Sequence, residues 1–436
     1  MTASTSEKAF FIETWGCQMN DLDSQRLAGQ LRLRGWRRVE DASRASLILL
    51  NTCSIRDKSE NKVFSRLGEL RGVGRSGVRV GVAGCVAQQE GEAILARAPW
   101  VDFVMGPGNV GALDQLLDGT RKVAVDFPAD RRYDYLSIDR PSRVRAQVTI
   151  IEGCNKNCTF CIVPTTRGRE VSRPMREIVG EIRWELRQGR AEVELLGQTV
   201  NAYRCPESGT DFAGLLETIA RLPGLLRLRF VTSHPAEVTD RLIEVMRDYP
   251  VICRYLHLPV QSGSSRVLRR MKRLYTREQY LDVIERIRTA IPGMNFSTDI
   301  IVGFPGETEE DFEQTLSLVE KVGYGSLFGF LYSPRPGTPA PRLGPPVEHG
   351  VAAARLGRLF ALQERFERRT LRSWVGRIVP VLYEGSSAKS PEVLAGKTEH
   401  NWTVNFTSAR PASIGELVPV RIDHALHHSL RGEAVA

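Results

Sequence analysis

The 436-residue sequence predicts an α/β protein in three parts. Residues 1–139 read as a doubly wound parallel sheet, 140–373 as most of a (β/α)6 barrel, and 374–436 as a small β-barrel or sandwich. Three observations predict this. Strand-like runs alternate with helix-like ones through the first two parts; six β/α units recur regularly in the second; the last holds only short strands separated by Gly, Pro and Ser. The length also exceeds what one hydrophobic core organises.

In the first part the strands are "KAFFIETWG" (8–16), "ASLILLNT" (45–52) and "VRVGVAG" (78–84), with helix-like "DSQRLAGQLRLRG" and "KSENKVFSRLGEL" between them. Cys17, Cys53 and Cys85 each follow one of these strands. A parallel sheet gathers strand ends of one polarity on one edge, where such folds bind ligands, so three cysteines distant in sequence are brought together. "GVGRSG" (72–77) matches the glycine pattern of dinucleotide binding, but it precedes a strand instead of following one, and reads as a surface turn.

In the second part the strands are 146–153, 192–197, 226–233, 255–260, 295–304 and 327–334. Pro174 suits a first helical turn, Ile178, Ile182 and Leu186 recur at four-residue spacing, and Gly189 closes that helix. Another helix starts near Thr308, with Asp311 placed for a capping box and Phe312, Leu316 and Val319 on one stripe. Parallel barrels carry chemistry at the C-terminal ends of their strands. A long helix over 348–373 leads to short strands at "RIVPVLYEG", "EVLAGKT", "WTVNF" and "LVPVRIDHA".

Composition is that of a globular protein, 42% hydrophobic and 25% charged. No apolar run approaches the ~20 residues of a membrane helix. The N-terminus has neither a basic start nor an apolar core, so no export signal is read and a reducing, cytoplasmic setting is expected. Net charge is +9, and its surplus is central: Lys+Arg against Asp+Glu is 19 to 18 over 1–139, 35 to 27 over 140–373 and 6 to 6 beyond. An acidic partner such as RNA fits this, as does a solvated basic face.

"IIEGCNKNCTFCIVP" (151–165) places Cys154, Cys158 and Cys161 in C-x3-C-x2-C spacing with no histidine nearby. Thiolate-only ligation selects zinc or an iron–sulfur cluster. Structural zinc closes its coordination with four ligands, whereas three cysteines fit a cubane with one iron left free to bind substrate; zinc and plain buried thiols are the alternatives.

This spacing, with Phe160 before the third cysteine, resembles the radical S-adenosylmethionine family. "GCQMN", "NTCSIRDKSENKVFSRLG", "GVAGCVAQ", "RGREVSRP", "LLGQTVNAY", "LHLPVQSGSSRVLRRM", "STDIIVGFPGETEEDF" and "YSPRPGTPA" extend the resemblance to the methylthiotransferases, from residue 11 to about 340. "GCQMN" with "NTCS" is similar to their tRNA branch, and "GKTEHNWTVNF" with "LVPVRI" resembles a TRAM domain, a small RNA-binding barrel.

The resemblance implies a radical-SAM barrel whose Cys154, Cys158 and Cys161 hold one 4Fe-4S cluster. Its open iron is held by S-adenosylmethionine, whose cleavage gives a 5′-deoxyadenosyl radical. It implies a second 4Fe-4S cluster on Cys17, Cys53 and Cys85, again with an open iron. Phe160, Gln198 and Gly303 would lie near the cofactor. The implied substrate is N6-isopentenyladenosine beside the tRNA anticodon, taken to its 2-methylthio derivative. Two S-adenosylmethionines are spent per turnover, one methylating cluster-held sulfur and one removing hydrogen from adenine C2. The two open irons would face one pocket, the base being splayed from its loop. Implied partners are a reductant such as a flavodoxin or ferredoxin and a sulfur donor. The same chemistry on threonylcarbamoyladenosine or a ribosomal protein side chain, and a noncatalytic RNA-binding zinc protein, are the competing readings.

Two positions depart from the family pattern: Thr199 where Asn is general, and Leu274 where Gly is common before Tyr275. Cys205 and Cys253, outside both triads, read as inert thiols, and His234 and His257 as hydrogen-bonded structural groups. Among basic residues, Arg167, Arg169 and Arg173 are expected to contact RNA, while the 266–277 cluster divides evenly between RNA contact and a solvated helix face.

Overall fold

The computed structural model describes residues 8–54, 59–74, 77–128, 134–387 and 390–435. Ile55–Lys58 of the second N-terminal motif, and Arg75 and Ser76 of the glycine turn, lie outside them. The chain forms two compact units. The first comprises Met1–Pro141, Glu152–Lys156 and Cys161–Val171, the second Ser142–Ile151, Asn157–Phe160 and Ser172–Ala436. Among the described residues no helix is long and apolar enough to cross a membrane.

In the first unit β1 (Ala9–Thr14), β2 (Arg37–Arg38), β3 (Leu47–Thr52), β4 (Arg79–Gly84), β5 (Phe103–Met105) and β6 (Val123–Ala124) form a parallel sheet in the order β2-β1-β3-β4-β5-β6. Alternate residues of β3 feed two separate cores. Leu47 and Leu49 pack with Leu27 and Leu31 of the helix Gln18–Leu33, and Ile48 and Leu50 with Val63, Leu67, Val86 and Ile94. Both faces are therefore covered, which is why β3 is apolar at consecutive positions. The strand order reverses direction at β1 and β3, the switch point beyond whose C-terminal ends doubly wound sheets bind ligands.

In the second unit β7 (Arg145–Thr149), β8 (Glu192–Leu196) and β9 (Arg227–Phe230) form one parallel sheet, and β10 (Tyr255–His257), β11 (Asn295–Val302) and β12 (Ser326–Leu331) another. A parallel bridge from Leu228 to Ile252 links the two, so six strands follow one another in chain order as a partial barrel. Ile178 and Ile182 of the helix Met175–Arg187 are buried, and Gly189 follows with φ +84°. Thr308 and Asp311 form the expected capping box of the helix Glu309–Val322.

The helix His349–Arg372 buries Leu359 and Leu362 in the partial-barrel core and Leu371 in a separate C-terminal core. That second core fills a closed five-stranded barrel, β13 (Ile378–Ser387), β14 (Ser390–Lys397), β15 (Thr403–Thr407), β16 (Leu417–Ala425) and β17 (Leu430–Ala434), in the order β13-β14-β15-β17-β16.

The C-terminal barrel is bonded to the N-terminal ends of the partial barrel's strands. Arg229 donates to the carbonyls of Thr398 (2.6 Å) and Glu399 (3.1 Å), Arg227 to those of Pro380 (2.9 Å) and Lys397, and Asn295 Nδ2 to that of His400 (2.8 Å). Arg145 pairs with Glu384 at 2.6 Å. Fully buried Glu192 pairs with Arg145 at 2.6 Å and Arg229 at 3.2 Å, compensating both guanidinium groups.

Candidate functional site

Cys53 and Cys85 directly follow the C-terminal ends of β3 and β4, and Cys17 lies three residues past that of β1; the three strands are adjacent, and β1 and β3 flank the switch point. The loops are knitted by amides. Asn20 Nδ2 donates to Thr52 O (3.1 Å) and Asn51 Oδ1 (3.2 Å), Asn51 Nδ2 to Asn20 O (2.8 Å), and Thr52 Oγ1 to Ala83 O (2.8 Å). Gly16 permits the approach: its φ is +148°, and a Cβ there would stand 2.7 Å from both Cys53 Cβ and Asn20 Oδ1.

Cys17 caps the N-terminus of the helix Gln18–Leu33. A hydrogen bond from the Cys53 thiol, the Arg167 charge and the amides of Asn20 and Met19 outweigh burial and lower Cys17 from 9.0 to about 6. Burial pushes Cys85 the other way, against the pull of Arg167. Cys17 and Cys85 therefore differ, Cys17 being the more readily ionised of the two. Among the described residues no three His, Cys, Asp or Glu side chains stand around one point as a single metal ion requires.

The cysteine loop contributes to this same unit through 152–156 and 161–171. Arg167, 5% exposed, pairs with Asp23 at 2.7 Å, and its charge acts on Cys17 and Cys85. Arg26 pairs with Glu152 at 3.0 Å. The Cys154 amide donates to Gly168 O at 3.2 Å, and the Lys156 amide to Cys154 Sγ at 3.4 Å.

Cys158 and Phe160 belong to the second unit. Arg273 Nη1 donates to Cys158 Sγ at 3.5 Å. Thr159 is bonded through its amide to Met271 O (3.1 Å) and its hydroxyl to Arg270 O (3.0 Å). Phe160 packs on Val267, Met271, Phe304 and Ala340. Gln198, half-buried, lies two residues past β8. Gly303 follows β11 with φ +81°, and its amide is taken by Glu307 Oε2 at 2.8 Å.

Several expectations change. Arg167 and Arg173 are not RNA contacts, because both are buried in ion pairs, Arg173 with Glu181 at 2.7 Å. Arg169 alone of the three is exposed. The 266–277 cluster divides: Arg273 and Arg277 are buried, Arg266 pairs with Asp311 while still exposed, and Arg269 and Lys272 are exposed. Cys253 is pushed up to about 11 by burial, as an inert thiol should be. Cys205 is not such a thiol: against its burial, the Ser208 hydroxyl and the amides of Met175, Ser208 and Glu207 lower it to about 7. His234 accepts from the Ala236 amide at 3.2 Å, and His257 Nδ1 is 2.8 Å from Ser297 Oγ. Leu274 adopts φ +60° and Lys272 φ +55°, which explains why glycine suits position 274. The placement of Arg167 and Arg273 against thiols was not readable from spacing, since both lie in arginine-rich stretches.

Residues 148–319 match the family described as the Radical SAM superfamily, 9–106 Uncharacterized protein family UPF0004, and 372–435 the TRAM domain. The chain is 48% identical over 436 residues to a tRNA-2-methylthio-N(6)-dimethylallyladenosine synthase of Alkalilimnicola ehrlichii, covering 97% of this chain and 96% of that one. A Burkholderia cenocepacia protein of the same name is 45% identical over 98% and 97% of the two chains. Among solved structures, the radical S-adenosylmethionine methyltransferase TsrM from Kitasatospora setae superposes with a TM-score of 0.54 at 15% identity over 77% of each chain. The cobalamin-dependent radical enzyme OxsB gives 0.52 at 13% identity over 83% of this chain and 56% of that one. Those two likenesses concern the fold. Taken with near-full-length identity close to one half, the chain belongs to the radical S-adenosylmethionine family of tRNA-2-methylthio-N(6)-dimethylallyladenosine synthases.

Proposed function

We propose that this chain is a two-cluster radical S-adenosylmethionine methylthiotransferase that converts N6-isopentenyladenosine beside the tRNA anticodon into its 2-methylthio derivative. Residues 1–139 carry the auxiliary cluster on Cys17, Cys53 and Cys85, 140–373 the radical cluster on Cys154, Cys158 and Cys161, and 374–436 the RNA-binding barrel. The observation that carries this reading is the identity to synthases of that name over 97% of the chain.

The residues present fit the clusters. Each set supplies three thiols, Cys17 is lowered to about 6 and so favours the ligating thiolate, and a buried guanidinium acts on each set. When bound, the clusters and two S-adenosylmethionines per turnover supply methyl transfer to sulfur and hydrogen removal from adenine C2. The chain's own residues do the positioning. Asn20, Asn51 and Thr52 hold the auxiliary loops, Thr159 and Arg273 hold the Cys158 turn, and Phe160, Gln198 and Gly303 would lie near S-adenosylmethionine when it binds. A flavodoxin or ferredoxin as reductant, a sulfur donor and a cytoplasmic setting complete the assignment.

Nucleoside mass spectrometry of tRNA from cells with and without the gene tests it. Loss of 2-methylthio-isopentenyladenosine on deletion, restored by this chain, is the expected result. Unchanged levels overturn the substrate, and zinc without iron or sulfide after anaerobic purification overturns the radical chemistry.

A further inference from the structure

Arg273 is 6% exposed and sits between two residues in left-handed backbone, Lys272 and Leu274. Its side chain is fully specified: Nε donates to Tyr275 Oη at 2.9 Å, Nη2 to Pro259 O at 2.9 Å, and Nη1 to Cys158 Sγ at 3.5 Å. Tyr275 Oη in turn donates to the carbonyls of Pro259 (3.3 Å) and Val260 (3.0 Å), directly after β10. The same turn grips the neighbouring residue through the Thr159 bonds to Met271 and Arg270.

Among the described residues, this guanidinium donates to Tyr275, Pro259 and Cys158 and acts on Tyr280, and it forms no ion pair with a carboxylate. A buried cation without a counter-charge costs several kcal/mol, so this fold places a cation where an anion is expected. Three other buried arginines are matched to carboxylates, Arg167 to Asp23, Arg173 to Glu181 and Arg229 to Glu192, while Arg227 and Arg277 donate to backbone carbonyls and a hydroxyl; Arg273 is distinguished by donating to a thiol. The strained backbone on both sides shows that the fold accepts a local penalty to keep the side chain there.

We propose that Arg273 is a positioning residue for the radical cluster, the built-in counter-charge that orients the Cys158 thiolate and makes the cluster easier to reduce. This rests on the assignment of Cys158 as a cluster ligand. A cubane held by three thiolates is anionic and becomes more so on taking an electron, so a fixed cation donating to one sulfur favours the reduced form. Tyr275 orients Arg273 and acts only through it.

The test is an anaerobic redox titration of the reconstituted full chain, following the part of the reduced-cluster electron paramagnetic resonance signal that changes on adding S-adenosylmethionine. Arg273→Met should move that midpoint to more negative potential by about 59 mV, a tenfold weaker reduction for one electron. Arg273→Lys should recover most of the shift, and Tyr275→Phe should give a smaller shift of the same sign. Should Arg273→Met fail to assemble, the Arg273→Lys and Tyr275→Phe pair still decides: a midpoint unmoved in Tyr275→Phe and shifted in Arg273→Lys overturns the charge argument. Equal midpoints in all variants, with only iron content lowered, reduce Arg273 to a structural clasp. If the unmodified protein gives no signal that responds to S-adenosylmethionine, the functional reading itself fails.

Discussion

His400 makes the attachment of the C-terminal barrel pH-dependent. Its backbone carbonyl accepts from Asn295 at 2.8 Å, its ring stands edge-on to Trp374 at 4.7 Å, and its Nδ1 is buried without a hydrogen-bond partner among the described residues. Burial first, then the charges of Arg254, Arg229, Arg227 and Arg377, lower the imidazole from 6.5 to about 4. The unfolded chain therefore binds a proton that the folded one refuses. The stabilisation is complete above the unfolded value and is lost as pH falls through the window from 6.5 towards 4. With those two values, moving from pH 7 to pH 5 costs about 2 kcal/mol, out of about 3 in total. The perturbation is His400→Phe, which keeps a ring against Trp374 and removes the titration. Hydrogen exchange of peptides from 402–406 and 417–425, compared between parent and variant from pH 7.5 to pH 5, reads the local opening free energy. The parent should lose protection relative to the variant by about 2 kcal/mol across that range. Parallel pH dependence in the two proteins would refute the argument.

Three further outcomes follow from particular contacts. Gly16→Ala should destabilise the first unit by about 1–3 kcal/mol and lower iron bound per chain, because the new methyl meets Cys53 and Asn20; denaturant titration and iron analysis check it. Leu274→Gly should stabilise by about 1 kcal/mol, since the residue is 74% exposed and its left-handed backbone suits glycine, which a rise in thermal midpoint would show. Asp311→Ala removes a buried carboxylate that accepts from Ser264 Oγ (2.6 Å) and the Thr308 amide (2.8 Å) and pairs with Arg266; a loss of about 3 kcal/mol in urea unfolding is expected.

Much of the fold was legible because the two periodicities are strong. β1, β3 and β4 fall on the predicted apolar runs, the six barrel strands lie within a residue or so of their predicted starts, and Thr308 with Asp311 announced its helix in four residues. One missed strand, Phe103–Met105, is a short apolar run that could have been read; the others have little pattern to read. Arg37–Arg38 and Val123–Ala124 are two-residue edge strands, and Leu430–Ala434, "LRGEA", has no β-branched residue and is held by pairing to β15 and β16. The site divides in the same way. Cysteine spacing is local and was readable, whereas the partner of each arginine is set by tertiary packing: "RMKRLYTR" looks like one basic helix face until Lys272 and Leu274 turn the backbone and send Arg273 inward. The alternation in "LRLRF" was a signal available but unused, since charged residues at every second position of a central strand require buried partners such as Glu192.

Under the proposed assignment, in which the C-terminal barrel holds RNA and the chemistry sits beside Cys158, the attachment of that barrel through Arg227, Arg229 and Asn295 sets a minimum reach for the substrate. These residues lie where β9 and β11 begin, while Gln198, Gly303 and the Cys158–Arg273 contact lie beyond where β8, β10 and β11 end. A molecule gripped at one rim and altered at the other must bridge at least a strand's length, about 17 Å for five residues. A free nucleoside is too short to engage both rims, so truncating the RNA stem-loop below that span should weaken capture before it touches the chemistry.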